Sequence, residues 1–331
     1  MARRRADPFA TRCGLSGLRV VTGAKPKVLV TGATGFVGRH CVPKLLERGF
    51  DVHGISLREP ASRTPDVTWH RYDLLDPAAC HAVVKALQPS HVLHLAWITK
   101  PGVFWSSAEN LAWMTAGAAL LQACAAAGAR VVVSGTCAEY AASNAPLQEE
   151  TTPLRPDTVY GHAKAGLFHA FEALRMTSAL DGAWARLFFP YGPDEPAGRL
   201  IPGAIECILQ RREFACTDGR QTRDFIYVTD VADALCTLLQ SDALGAFNIG
   251  SGAATELRDV VSRIANRLRG AELVCFGARP RPPNDPDFVV ADRTSMQRAC
   301  GWSASVSLED GLDRTIDNWR GRIAVLSRRP K

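Results

Sequence analysis

What most restricts the fold of this chain is a short run near its start. Lys27-Val28-Leu29-Val30-Thr31 is apolar and strand-like, Gly32-Ala33-Thr34-Gly35-Phe36-Val37-Gly38 is a glycine-spaced turn, and Arg39 to Arg48 is patterned as a helix. Strand, glycine turn and helix in that order are the context a dinucleotide-binding fingerprint requires. Glycines let the backbone approach a pyrophosphate, which then meets the positive end of the helix dipole. The spacing is G-x-x-G-x-x-G (Gly32, Gly35, Gly38), not G-x-G-x-x-G. Taken in isolation the run also reads as an ordinary glycine-rich βα turn.

The rest of the chain extends the alternation. Strand-like segments fall at 51–56, 67–71, 91–95, 130–134 and 183–188. Helical ones fall at 78–87, at 108–127 and around Tyr160. Such βαβ alternation predicts an α/β fold, a Rossmann-like doubly wound parallel sheet with ligands at the carboxyl ends of its strands. From Tyr191 on, Pro and Gly thicken and the alternation breaks. The expected organisation is a tail over 1–25, a dinucleotide-binding domain over 26–188 to which segments near 225–250 return, and a smaller C-terminal substrate lobe over 189–325. A chain of 331 residues, 47% hydrophobic, can fill a main core and such a lobe.

Charge and cysteine usage exclude several classes. The net charge of +6 comes from the tail: residues 1–27 carry seven Lys/Arg and one acid, and the remainder balances at 32 basic and 32 acidic. The basic stretch is therefore read as an extension outside the fold, or a weak anionic-surface or transit-like arm, and no nucleic-acid partner is expected. No apolar run approaches the roughly 20 residues of a membrane span. Ten cysteines lie scattered with no C-x-x-C pair. No metal site is expected, and the thiols suit a reducing, cytoplasmic setting.

A second motif carries chemistry. In Val159-Tyr160-Gly161-His162-Ala163-Lys164 the Tyr and Lys are four apart, so on a helix they share a face. An ammonium beside a phenol favours the phenolate and is expected to lower the Tyr pKa from about 10 toward working pH. Such a hydroxyl suits acid or base work at a carbonyl or alcohol. Alone, Y-x-x-x-K is weak. Paired with T-G-A-T-G-F-V-G it resembles the extended short-chain dehydrogenases/reductases, the NAD(P)-dependent sugar-nucleotide epimerases, dehydratases and reductases. The resemblance runs from about residue 26 to about residue 320.

That resemblance implies a site. Thr136, in Ser134-Gly135-Thr136-Cys137-Ala138-Glu139-Tyr140, takes the place of the catalytic hydroxyl, with Ser134 as the fallback. Tyr160 exchanges the proton, and Lys164 holds the ribose. Around the dinucleotide it implies Gly32, Thr34, Gly35, Phe36, Val37 and Gly38 at the turn, Asp73 and Leu74 near the adenine, and Leu95 and Ala96 along the backbone that passes the cofactor. After the second strand the chain has Ile55-Ser56-Leu57-Arg58, with no carboxylate to bind a ribose hydroxyl. Ser56 and Arg58 there favour NADP, with NAD open. Asn110 matches a position that supports the site, and a purely structural role fits it as well.

The loop also constrains the reaction. The 4,6-dehydratases of this family carry Asp-Glu directly after the catalytic Thr, where this chain has Cys137 and Ala138, so that elimination is not expected. Cys137 is one residue away from the acid/base Cys of the 3,5-epimerising reductases and reads as packing. Arg223, in Arg223-Asp224-Phe225-Ile226-Tyr227-Val228-Thr229-Asp230, resembles the family's diphosphate Arg, with Arg281 or Arg279 as the second. Phe189 stands where an Asn is usual. The tryptophans Trp97, Trp105 and Trp113 form either a sugar wall or packing. The segment holding them is similar to nucleotide-6-deoxysugar 4-ketoreductases. The expectation is NADPH-dependent reduction of a nucleotide-sugar C4 ketone. The alternatives are an NAD-dependent 4-epimerase, a reductase of non-nucleotide carbonyls and a non-catalytic cofactor-binding protein. A homodimer through the helices 108–127 and 158–179 is the expected assembly.

Overall fold

The computed structural model describes residues 24–57, 64–178 and 180–327. The expectations for Arg58 and for most of the basic tail therefore lie outside the described residues. Seven parallel strands form the central sheet. They are β1 (Lys27–Thr31), β2 (Asp51–Ile55), β3 (Val67–His70), β4 (His91–His94), β5 (Arg130–Thr136), β6 (Gly182–Leu187) and a last strand, Gly245–Ile249. The last strand lies at one edge, followed by β6, β5, β4, β1, β2 and β3. Both faces are covered, which is why these strands read as continuous apolar runs; all seven residues of β5 are buried.

Alternate residues feed the two faces. Val28 and Val30 of β1 enter one core with Cys41, Val42 and Leu45 of α1 (Gly38–Glu47) and with Val231, Leu235 and Leu238 of α6 (Val228–Gln240). Leu29 points into the other core. There it meets Val83 of α2 (Pro77–Leu87), Leu120 of α3 (Glu109–Ala127), and Leu167 and Phe171 of α4 (Val159–Ser178). A third core lies apart. It joins Ile201 and Ile205 of α5 (Leu200–Leu209), Tyr227 just before α6, Val260 and Ile264 of α7 (Leu257–Arg267), and residues of the C-terminal helix Leu308–Ser327.

Strand order reverses between β1 and β4. The crevice outside their carboxyl ends is where an open α/β sheet takes a ligand. One boundary departs from the sequence reading. β5 was expected to end at Ser134 and instead runs to Thr136, pairing with Leu187 of β6. The cause is Glu139, whose carboxylate accepts the Thr136 amide at 2.8 Å and fixes the end of the strand.

Candidate active site

A cleft of about 600 Å³ opens at this reversal point. Its first wall is the glycine turn. Gly32 has φ +69°, and a Cβ there would sit 2.8 Å from the Ala96 amide nitrogen; a Cβ on Gly38 would meet the Gly32 carbonyl at 2.1 Å. The turn is thus folded tightly onto both the β4 loop and the first turn of α1. No side chain caps α1 at Val37; within its first turn the Arg39 and His40 amides donate to the Gly35 and Val37 carbonyls. The Thr31 hydroxyl accepts the Leu95 and Ala96 amides at 3.1 and 3.2 Å and is bonded to His94 Nδ1 at 2.7 Å. Burial drives His94 down to about 3, so it is neutral packing.

Gly32, Gly35, Phe36, Val37, Gly38, Leu95 and Ala96 all line the cleft. This cradle fits a dinucleotide pyrophosphate. Other residues of the sequence reading are placed differently. Thr34 is exposed and offers its carbonyl to Arg39. Leu74 is packed in the second core, and Asp73 turns its carboxylate onto the Leu75 amide. Ser56 follows β2, its amide donating to the His70 carbonyl.

The side chains expected from the sequence to react sit at the end of β5 and the start of α4. Thr136 is hydrogen-bonded to Tyr160, whose ring stands edge-on to Phe104 and Trp105 at 5.0 and 5.6 Å between centroids. The expectation that Lys164 lowers the phenol does not hold. Burial pushes the Tyr160 pKa well above its ordinary value, with the Thr136 bond pulling the other way. Lys164 points elsewhere: its ammonium donates to the Ser134 carbonyl at 2.7 Å and lies 3.8 Å over the Trp97 ring. Burial brings the Lys164 pKa down to about 7, against the opposing charge of Glu139. Trp97 is held in turn by Asn110, which accepts its indole N–H at 2.8 Å and donates to the Phe104 carbonyl at 2.7 Å. Asn110 therefore fixes both the face on which Lys164 rests and the loop that touches Tyr160. Trp97 and Trp105 line the cleft, while Trp113 packs on Trp97 at 6.3 Å.

Behind Thr136 lies a buried brace that sequence reasoning missed. Glu139 is 0% exposed. Its Oε1 accepts from the Thr136 amide and from the Trp184 indole at 3.1 Å, and its Oε2 accepts from Arg186 Nε at 2.7 Å. Arg186, itself buried, lies over the rings of Tyr140 and Phe168. Gly135 is required here because a Cβ would fall 2.1 Å from the Trp184 indole nitrogen and 2.7 Å from Glu139 Oε1. The acid in Glu139-Tyr140 and the glycine before Thr136 were the available signals, but Trp184 and Arg186 come from β6, far along the chain.

On the substrate side, Arg223 lines the cleft, pairs with Asp285 at 2.6 Å and lies 5.4 Å from the Phe189 ring. Arg281 does not join it. Its guanidinium is taken up by Asp287 at 2.8 Å and Asp218 at 3.5 Å, outside the cleft lining, and Arg279 is exposed. Asp224 accepts four bonds, from the Ser251 amide and hydroxyl and from the Gly252 and Ala291 amides, and so anchors the 247–252 segment. Burial pushes the Cys137 thiol up to about 12, and Ala138 has no acid. Two charged residues that the sequence reading did not single out, Glu195 and Arg199, also line the cleft.

Comparison with known proteins places this arrangement. MoeE5, solved with UDP-glucuronic acid and NAD, is 30% identical, with a TM-score of 0.80 over 90% of this chain and 99% of that one. The UDP-glucose 4-epimerase of Thermus thermophilus, solved with NAD, is 27% identical, with a TM-score of 0.77 over 89% and 99%. The CDP-abequose synthase of Salmonella typhimurium is 25% identical over 308 residues, 89% of this chain and 99% of that protein. A family model matches residues 28–250. With its glycine cradle, its Thr136, Tyr160 and Lys164 side chains and that match, the chain belongs to the NAD dependent epimerase/dehydratase family.

Proposed function

We propose that the protein is a nicotinamide-dependent sugar-nucleotide oxidoreductase that reduces the C4 ketone of a nucleotide-linked 4-keto-6-deoxyhexose, with NADPH as the donor. The observation that carries this reading is the Thr136–Tyr160 contact inside a cleft that also holds the glycine cradle and Arg223. A nicotinamide bound there supplies the hydride. The raised pKa keeps Tyr160 protonated at neutral pH, the form that delivers a proton to the new alkoxide. Thr136 holds the same oxygen by a hydrogen bond. Lys164, fixed by Ser134 and Trp97, is placed to serve the ribose side of the cofactor. The lobe built on α5 and α7 furnishes the nucleotide side, with Arg223 toward the diphosphate.

Elimination chemistry is disfavoured because no acid next to Thr136 serves the cleft: Cys137 is a high-pKa thiol, Ala138 is inert, and Glu139 is spent on Arg186. The end-to-end likeness to CDP-abequose synthase supports a nucleotide-sugar substrate. Ser56 and Leu57 after β2 present no carboxylate against a 2′-phosphate. A second reading, an NAD-dependent 4-epimerase, draws on the epimerase solved with NAD.

The test follows nicotinamide absorbance with NADPH or NADH and a panel of nucleotide-4-keto-6-deoxyhexoses. Oxidation of NADPH that needs the keto sugar, and falls about 10³-fold in Tyr160→Phe, is the expected result. No net oxidation, with NAD retained on the purified protein and turnover of non-keto sugar nucleotides, replaces the reductase with the epimerase.

A further inference from the structure

One acidic and one basic residue in the cleft wall carry polar atoms without partners among the described residues. Glu195 follows the turn at Gly192 (φ +148°) and is 4% exposed, and its Oε2 has no hydrogen-bond partner there. Arg199, at the start of α5, has a buried Nε that is likewise unpartnered, and its guanidinium carbon lies 5.7 Å from the Phe104 ring centre. Both line the cleft beside Phe104, Trp105 and Tyr160, and the charge of Arg199 acts on both Glu195 and Tyr160. Burial pushes the Glu195 carboxyl up to about 8, the Arg199 charge and the Gly192 amide pulling the other way.

Buried polar atoms left in this state call for a ligand group that answers both. A phosphate oxygen would satisfy Arg199 and be repelled by Glu195 once ionised. A ketone oxygen accepts but cannot donate, so it would answer Glu195 only while that carboxyl is protonated. A hydroxyl does both: its proton goes to Glu195 Oε2 and its oxygen accepts from Arg199 Nε. The neighbouring rings of Phe104 and Trp105 offer apolar faces of the kind that pack against the C–H surface of a pyranose.

We propose that Glu195 and Arg199 form the sugar-hydroxyl recognition point of the cleft, the contact by which the enzyme chooses among hexoses attached to one nucleotide. This rests on the sugar-nucleotide reading of the same cleft. Neither residue is hydrogen-bonded to Tyr160 or Thr136, so the role proposed for the pair is to choose which sugar binds.

The test compares two titrations, of nucleoside diphosphates and of their hexose esters (UDP with UDP-glucose, and the CDP and dTDP pairs), by calorimetry. For the nucleotide that binds, the hexose is expected to raise wild-type affinity. Glu195→Ala is expected to lose about tenfold of that gain, because removing one partner strands the other, while affinity for the diphosphate alone stays within about twofold. Glu195→Gln, which keeps an acceptor, is expected to retain most of the gain. Should Glu195→Ala fail to fold, Arg199→Met carries the same comparison. An undiminished hexose gain in these variants overturns the recognition point while leaving the sugar-nucleotide reading intact. A wild-type protein that binds none of the pairs removes that reading, and the recognition point with it.

Discussion

Two buried glutamates border the same cleft, Glu139 behind Thr136 and Glu195 in the wall that Tyr160 shares, and their surroundings are opposite. Glu139 is met on both oxygens, by the Thr136 amide, the Trp184 indole and Arg186. Glu195 keeps an oxygen with no partner among the described residues and a carboxyl raised to about 8. A buried charge is tolerated when it is paired and hydrogen-bonded, and otherwise neutralises itself by shifting its pKa. The first carboxylate is consumed in holding the end of β5, so it has nothing left for a ligand. The second is held in a state that only a ligand completes.

The largest effect that would test this contrast is Glu139→Ala. It leaves Arg186, 1% exposed, without its counter-charge and frees the Thr136 amide. Breaking one side of a buried pair costs about 3–5 kcal/mol, so chemical denaturation should show a loss of that order. Turnover should fall through kcat more than KM, since Thr136 is displaced rather than a binding contact removed. A loss below about 1 kcal/mol would mean that Glu139 does not brace the site.

Gly135→Ala is a smaller perturbation of the same brace. The new methyl enters the space of the Trp184 indole nitrogen and Glu139 Oε1. Overpacking of this kind typically costs about 1–3 kcal/mol, read as a lowered denaturation midpoint. Pairing it with Trp184→Phe, which vacates the indole N–H, should recover part of the loss. Additive losses in the double variant would show that the clash lies elsewhere.

The sequence made the cradle legible and left this contrast hidden, for a physical reason. Gly32, Gly35 and Gly38 act through local backbone geometry, and Tyr160 and Lys164 share one helix, so spacing alone exposes them. The parallel sheet was readable because strands buried on both faces are apolar throughout. What a carboxylate does, by contrast, depends on what distant segments bring to it. Glu139 meets β6, and Glu195 Oε2 is met by no described residue, yet in sequence one is an acid between Ala138 and Tyr140 and the other the second of the pair Asp194-Glu195, with nothing local to tell their roles apart. Arg281 illustrates the converse: its motif position suggested the diphosphate, and Asp218 and Asp287 claim it instead. Lys164 sits on the expected face, but Trp97 and the Ser134 carbonyl hold it away from the phenol it was expected to tune.

The smallest predicted effect separates the two glutamates by sign. Replacing Glu195 with Met exchanges an unsatisfied carboxyl for an apolar side chain of similar length, and this should stabilise the protein by about 1 kcal/mol at pH 5. The pH dependence follows from the raised pKa. The folded protein holds the Glu195 proton up to about pH 8, whereas in the unfolded chain it leaves near the ordinary 4.5. The folded state therefore binds more protons across that window, and wild-type stability attributable to Glu195 declines as pH rises through it. Glu195→Met lacks this decline, so its advantage in melting temperature over wild type should widen from pH 5 to about pH 8 and then level off. A constant advantage across that range would mean that Glu195 is ionised in the folded protein at neutral pH and already partnered. That would erase the distinction from Glu139 and leave the cleft wall without its open acceptor.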